Sequence, residues 1–239
     1  MEKYKEMTVG QIVANSFANA SIFEKYGIDF CCNGLDMLPD ACAKVGIEVD
    51  TVIEDLNKPK NESSEVIDFK SWPLDLLCDY ILKFHHRNIR TQGPQIMELL
   101  RKVCDVHSCS HPELLEVKEL FERSLEDLEN HLQKEEIMLF PHIYVMCESV
   151  SSGLPIPDFH CGSVEAPISV MMAEHQAEGD RYHRMEELTA GYQTPSDGCG
   201  SYRLLMAKLK AFNGALHQHI HLENNVVFPT AINIERDNL

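Results

Sequence analysis

Two stretches of the chain, HLQKEEIMLFP from His131 to Pro141 and HIHLENNVVFP from His219 to Pro229, share the form H-x3-E-x4-F-P with no shift in spacing. A histidine and a glutamate four residues apart lie on one face of a helix. Imidazole and carboxylate together are what a transition-metal ion takes from a protein when thiolate is absent. The repeat implies two equivalent helices. Stepping by three and four residues leads to each pair along an apolar seam, through Val117, Phe121, Ser124 and Leu128 to His131 and Glu135, and through Leu205, Leu209, Phe212 and Leu216 to His219 and Glu223. Burying such groups without partners would cost roughly 2–7 kcal/mol each.

Two further histidines end similar stripes. Leu74, Cys78 and Ile81 step to His85, and Ile168 and Met171 step to His175, continuing to Glu178 and Tyr182. Each half of the sequence therefore offers one lone histidine and one His-x3-Glu pair, related by a pseudo-two-fold axis. The predicted ligand set is His85, His131, Glu135, His175, His219 and Glu223. If both glutamates bridge two ions and each ion takes two histidines, every metal has four protein ligands. An oxo or hydroxo bridge adds a fifth and leaves a position open. Such donors favour two non-haem iron ions, although manganese and zinc also match by ligand type. Ferritin-like bundles use Glu-x-x-His and more carboxylate, whereas histidine predominates here.

A lone core-facing histidine is commonly structural, and only the repetition argues otherwise. His86 would replace His85 only if the register slipped by one residue. His217 and His221 are turned some 200° from His219 and are expected to face solvent or to flank the site. His142 reads as structural, and His107, His111, His160 and His183 lie outside the site. Glu136 and Glu174 adjoin ligands and could hydrogen-bond to them or relay protons. The Phe-Pro pairs are expected to pack and to bend their helices.

These residues need long helices to carry them. Amphipathic patterning covers 73–106, 112–149, 164–192 and 200–232, strand-like alternation is absent, and the fold class is all-α. Four such helices joined by turns predict an antiparallel up-down bundle about 45 Å long, over residues 73–234. Residues 1–57 hold shorter helical patterns, with Thr8 and Asp50 as N-caps and Gly27 and Gly46 as stops. The polar segment 58–72, containing Pro59, reads as a linker.

The sequence has 38 acidic against 21 basic residues and a formal charge of -17. Phosphate backbones and anionic membranes are poor partners for it. Without an apolar run of signal or membrane-spanning length, the chain is expected in the cytoplasm. Its nine cysteines are scattered and odd in number, so reduced thiols are expected. Cys161 and Cys199 fall in loops at opposite ends of the bundle and should not pair. Cys104, Cys109 and Cys199 share one end with His107 and His111, where an incidental zinc site could form. In DFCCNG, the vicinal Cys31 and Cys32 would need a strained ring to form a disulfide. Gly27 and Gly34 on either side predict a turned, accessible loop, and an exposed thiolate pair serving the metal centre by moving iron, electrons or nitrosyl groups, or partnering across a homodimer.

HLQKEEIMLFP and HIHLENNVVFP, with ISVMMAEHQAEG around His175 and LKFHHR around His85, resemble the hemerythrin-like domain of the repair-of-iron-centres (RIC) proteins. YGIDFCCNG resembles the small ScdA-type domain that precedes that bundle in the same family. The resemblance covers nearly the whole chain and implies the same six metal ligands. It further implies repair of iron-sulfur clusters damaged by nitric oxide or oxidative stress, through iron donation or reaction of the di-iron centre with nitric oxide, including reductase-type activity. Damaged iron-sulfur proteins would then be the partners. A dioxygen or nitric oxide carrier or sensor is the alternative, and the appended thiols argue against a plain carrier.

Overall fold

The computed structural model describes residues 2–58 and 67–238; residues 59–66 of the expected linker lie outside it. Among the described residues there is no strand, only a single bridge between Thr8 and Met37. The helices are α1 (Val9–Asn15), α2 (Ala20–Tyr26), α3 (Leu38–Lys44) and α4 (Val49–Leu56), followed by four long ones. Helix α5 runs through Leu74–Tyr80, Ile81–His86 and Arg87–His107, and α6 through Glu113–Lys134, Glu135–Leu139 and Phe140–Ser151. Helix α7 is Glu165–Leu188, and α8 runs through Gly200–Leu222, Glu223–Val227 and Phe228–Asp237. The middle segments of α5, α6 and α8 are π turns.

The chain forms two compact units, residues 1–77 with 220–239, and residues 78–219. In the first, Thr8 caps α1 through a capping box with Gln11, satisfying two of the amides that a helix start leaves open. Gly27 and Gly46 end α2 and α3 in the left-handed region, at φ 66° and 70°, which glycine adopts without a Cβ penalty. Asp50 does not cap α4; Glu48 holds that place with no side-chain bond. Val9, Ile12, Val13, Phe23, Leu38 and Ile53 are buried. The loop after the vicinal cysteines is tied to the start of α1, with Gly10 N–H donating to the Gly34 carbonyl at 2.9 Å and Val9 N–H to Asp36 at 2.9 Å.

The second unit is the antiparallel up-down bundle. Arg90 pairs with Glu129 and Arg101 with Glu122, so α5 and α6 run in opposite directions. Arg181 with Asp127 and Arg184 with Glu116 show the same of α6 and α7. The seam residues Val117, Phe121, Leu128, Met171, Leu205, Leu209 and Leu216 are all buried.

Candidate metal centre

The 3-4 stripe of α5 stays on the core side through Cys78 and Ile81, both fully buried. The π turn Ile81–His86 then inserts one residue, so the next inward position comes five residues after Ile81. That position is His86. Expected as the spare, His86 is 0% exposed, and its Nε2 is 3.4 Å from the Glu135 carboxylate. His85, expected as the ligand, is also buried, but its ring stands edge-on to Tyr80 and Phe84, and its ligand atoms do not join the donor groups found among the described residues. The spacing contained a hint of this: 45 residues separate His86 from His131, 46 separate His85 from it, and 44 separate His175 from His219.

On α6, His131 and Glu135 share a face, with His131 Nε2 3.4 Å from Glu135 Oε1. From α7, His175 brings its Nε2 to 3.0 Å from that of His131. On α8, the His219 ring centroid is 5.4 Å from that of His86 and 6.1 Å from that of His175. Ligand atoms of His131, His175 and His219 lie within 4.8 Å of one another, as do those of His86, Glu135 and His219. Glu223, one turn beyond His219 on the same helix, is 0% exposed.

Nitrogen atoms of two buried imidazoles at 3.0 Å require either a shared proton or a cation near both lone pairs. The outer nitrogens favour the second arrangement. His86 Nδ1 is 2.8 Å from Glu136, which Arg90 also binds at 2.6 Å. His131 Nδ1 is 2.8 Å from Glu174, which also pairs with Lys134. Each carboxylate thus holds a proton on Nδ1 and turns the Nε2 lone pair inward, as behind metal-ligating histidines generally. Burial works against the charge on both carboxylates, yet both are held below the usual range, Glu136 by Arg90 and His86, Glu174 by Lys134 and His131. The donor set of imidazoles and carboxylate, without thiolate, fits non-haem iron, manganese or zinc. A cavity of about 370 Å³ between α6 and α7, lined by Asp127, Asn130, Lys134 and Glu174, reaches His131 and His175. Beside it, buried Glu178 accepts a hydrogen bond from Ser124 at 2.7 Å.

Residues 79–231 match the family described as the hemerythrin HHE cation binding domain. The chain belongs to the hemerythrin HHE family. Residues 5–60 of this HHE protein match ScdA_N, described as a domain of unknown function. It is 30% identical over 223 residues to the iron-sulfur cluster repair protein ScdA of Staphylococcus haemolyticus, covering 93% of this chain and 96% of that one. It is also 30% identical over 233 residues to the iron-sulfur cluster repair protein YtfE of Yersinia pseudotuberculosis, covering 96% and 98%.

The thiols of the HHE protein's N-terminal region differ from expectation. Cys31 is buried at 3% exposure, and Cys32 is only partly exposed. Their sulfurs are 3.7 Å apart, within hydrogen-bond reach and not joined by a disulfide. Asp29 accepts from both backbone amides, at 3.0 and 2.9 Å. The bond to Cys32, followed by burial, pushes the Cys31 thiol well above the usual range. The exposed thiolate pair is therefore corrected to one buried, neutral thiol beside a half-buried one. Asn224 and Asn225 were not foreseen: Asn224 donates to the Cys31 carbonyl at 3.0 Å, and Asn225 to that of Phe30 at 3.3 Å. Two adjacent asparagines, poor helix formers, inside a long helix were the available signal. His221, expected to face solvent, is 1% exposed and packs on Phe17 and Phe30. Burial pushes its pKa down to about 4. His142 stacks on Phe159, with centroids 4.1 Å apart, as a structural residue. Cys161 and Cys199 are free thiols. Cys104 is buried and donates to the Leu114 carbonyl at 3.4 Å. Among the described residues, no group of three donors forms at the end where zinc was considered.

Proposed function

We propose that this protein repairs iron-sulfur clusters damaged by nitric oxide or oxidative stress, using two non-haem irons held by His86, His131, Glu135, His175, His219 and Glu223. The observation that carries the reading is the convergence of buried imidazole and carboxylate donors from four bundle helices, with Glu136 and Glu174 fixing the outer nitrogens. The relatives similar over nearly the whole chain are named as iron-sulfur cluster repair proteins, which favours repair over carriage of a gas. When bound, the irons supply a redox-active pair that can react with nitric oxide or be given up as cargo.

The chain's own contributions are separate. Burial of the donors excludes bulk water from the site. Glu136 and Glu174 hold the protons at Nδ1. The α6–α7 cavity gives small species a way to His131 and His175. Damaged iron-sulfur proteins in the cytoplasm are the partners in this reading; among the described residues no helix is long and apolar enough to cross a membrane.

The test uses protein purified anaerobically from iron-replete cells. Metal analysis should find about two irons per chain, as in other di-iron bundles. His86→Ala should lower the iron content and His85→Ala should leave it near wild type. The iron-loaded protein should reactivate a cluster enzyme inactivated by nitric oxide, and His86→Ala should not. Zinc in place of iron, or equal repair by an iron-depleted variant, would refute the reading. Equal repair by Cys31→Ala/Cys32→Ala would remove only the thiols from it.

A further inference from the structure

Cys199 immediately precedes α8 at the end of the bundle where α5 turns into α6. It is exposed, and its Sγ lies 3.2 Å from Nε2 of His107, the last residue of α5. The sulfur also accepts backbone N–H bonds from Ser201 and Tyr202 in the first turn of α8. The imidazole is held in place. Tyr202 stands edge-on to the rings of both His107 and His111, with centroids 5.3 and 5.5 Å away. His111 is clamped by Glu113 at 2.9 Å and Asp197 at 3.0 Å. This thiol–imidazole pair plays no part in the metal centre.

We propose that the Cys199–His107 pair is a thiol-modification site that takes up low-molecular-weight disulfides, becoming a mixed disulfide. The thiolate sulfur of Cys199 attacks one sulfur of the disulfide, forming a new S–S bond as the original one breaks. The departing thiolate takes the proton that Cys199 gave up, through His107 or solvent. One thiol is consumed and one released, so the disulfide itself is the oxidant.

Three features select this cysteine. Backbone amides of Tyr202 and Ser201, with His107, bring its pKa down to about 7. An attacking thiol performs best when its pKa is near ambient pH, because a lower one sacrifices nucleophilicity. Against a thiol at the ordinary value of 9.0, the larger thiolate fraction at neutral pH outweighs that loss by roughly five- to eightfold in rate. The sulfur is also accessible, whereas Cys31, Cys42, Cys78 and Cys104 are buried. Burial moves Cys42 and Cys104 in the opposite direction.

The full-length reduced protein is mixed with excess glutathione disulfide, quenched in acid and mapped by peptide mass. The first adduct should fall on Cys199, with a rate-against-pH midpoint near the value the contacts set. Cys199→Ser should abolish the fast adduct. His107→Gln should raise the midpoint and slow the reaction at neutral pH while leaving iron content unchanged. A first adduct on Cys109 or Cys32, or a wild-type midpoint at or above the free-thiol value of about 8.5, overturns the proposal whether or not His107→Gln folds. An unchanged midpoint in a folded His107→Gln also overturns it.

Discussion

Replacing Gly10 by alanine should destabilise the protein, although within a helix that change ordinarily stabilises by up to about 1 kcal/mol. A Cβ at Gly10 would stand 2.1 Å from Oδ1 of Asn225 and 2.8 Å from the Gly34 carbonyl oxygen. Gly34 faces the same amide, where its own Cβ would be 2.2 Å from Oδ1. The two glycines thus make a slot for one side chain. Asn225 cannot withdraw freely, because its Nδ2 is 3.3 Å from the Phe30 carbonyl and 3.1 Å from Nδ1 of His221. Overpacking costs about 1–3 kcal/mol, and each hydrogen bond given up costs about 0.5–1.5 kcal/mol net. The helix-propensity gain is smaller than their sum, leaving a net loss of about 1–3 kcal/mol. Urea unfolding with amide exchange across α1 and residues 28–38 would measure it. Gly214→Ala is the control: it lies in α8 with nothing within 4 Å of the added carbon, and should stabilise by about 0.5–1 kcal/mol. Asn225→Ala should relieve part of the loss when combined with Gly10→Ala. If Gly10→Ala matched or exceeded wild type while Gly214→Ala behaved as expected, the docking of the cysteine loop on the Asn225 segment would be refuted.

Two other outcomes follow from the site. Glu174→Gln and Glu136→Gln should each weaken metal affinity by about 10–100-fold, as loss of a carboxylate behind a ligating histidine does; competition with a chelator measures it, and unchanged affinity would show that the carboxylates do not orient the ligands. Burial pushes the Glu178 carboxyl above its ordinary 4.5, against the bonds from Ser124 and Arg181. The folded state therefore keeps a proton that the unfolded chain has released, so stability falls as pH rises from 4.5 to the raised folded value and then levels. Glu178→Gln should lack that decline in urea midpoints taken across the same pH range, and parallel slopes would contradict it.

The long helices are closely legible in the sequence. The segment 112–149 became Glu113–Ser151, and 73–106 became Leu74–His107, because amphipathic period and turn residues are local signals. The contacts of Glu136 with His86 and of Glu174 with His131 across helices also have a local signal, since adjacency to a core-facing residue puts a side chain within reach of a neighbouring helix. What failed depends on distant partners. His221 appeared solvent-facing because an i+2 neighbour of a core residue turns away from its seam, but Phe17 and Phe30, some 200 residues earlier, cover that side. The Cys31 thiol appeared exposed because glycines mark turns without showing what packs over them; Asn224 and Asn225 supply that packing.

The appearance of His86 rather than His85 in the donor group has a different origin, in the backbone. Phe140 N–H and Phe228 N–H each reach back five residues, to the carbonyls of Glu135 and Glu223. In both copies of the repeat a proline follows, which has no N–H to give and whose ring crowds the preceding turn. A widened turn accommodates it. H-x3-E-x4-F-P is therefore a backbone pattern as well as a donor pattern: each glutamate begins a π turn, and the register changes only after the glutamate has been placed. In α5 the widened turn comes before His86 and no proline announces it, so stepping by three and four leads to His85, whereas the donor group includes His86. Helix α7 is α-helical throughout Glu165–Leu188, and there the same stepping reaches the buried His175, Glu178 and Tyr182 in turn. The difference between α5 and α7 follows from where the extra residue enters the helix.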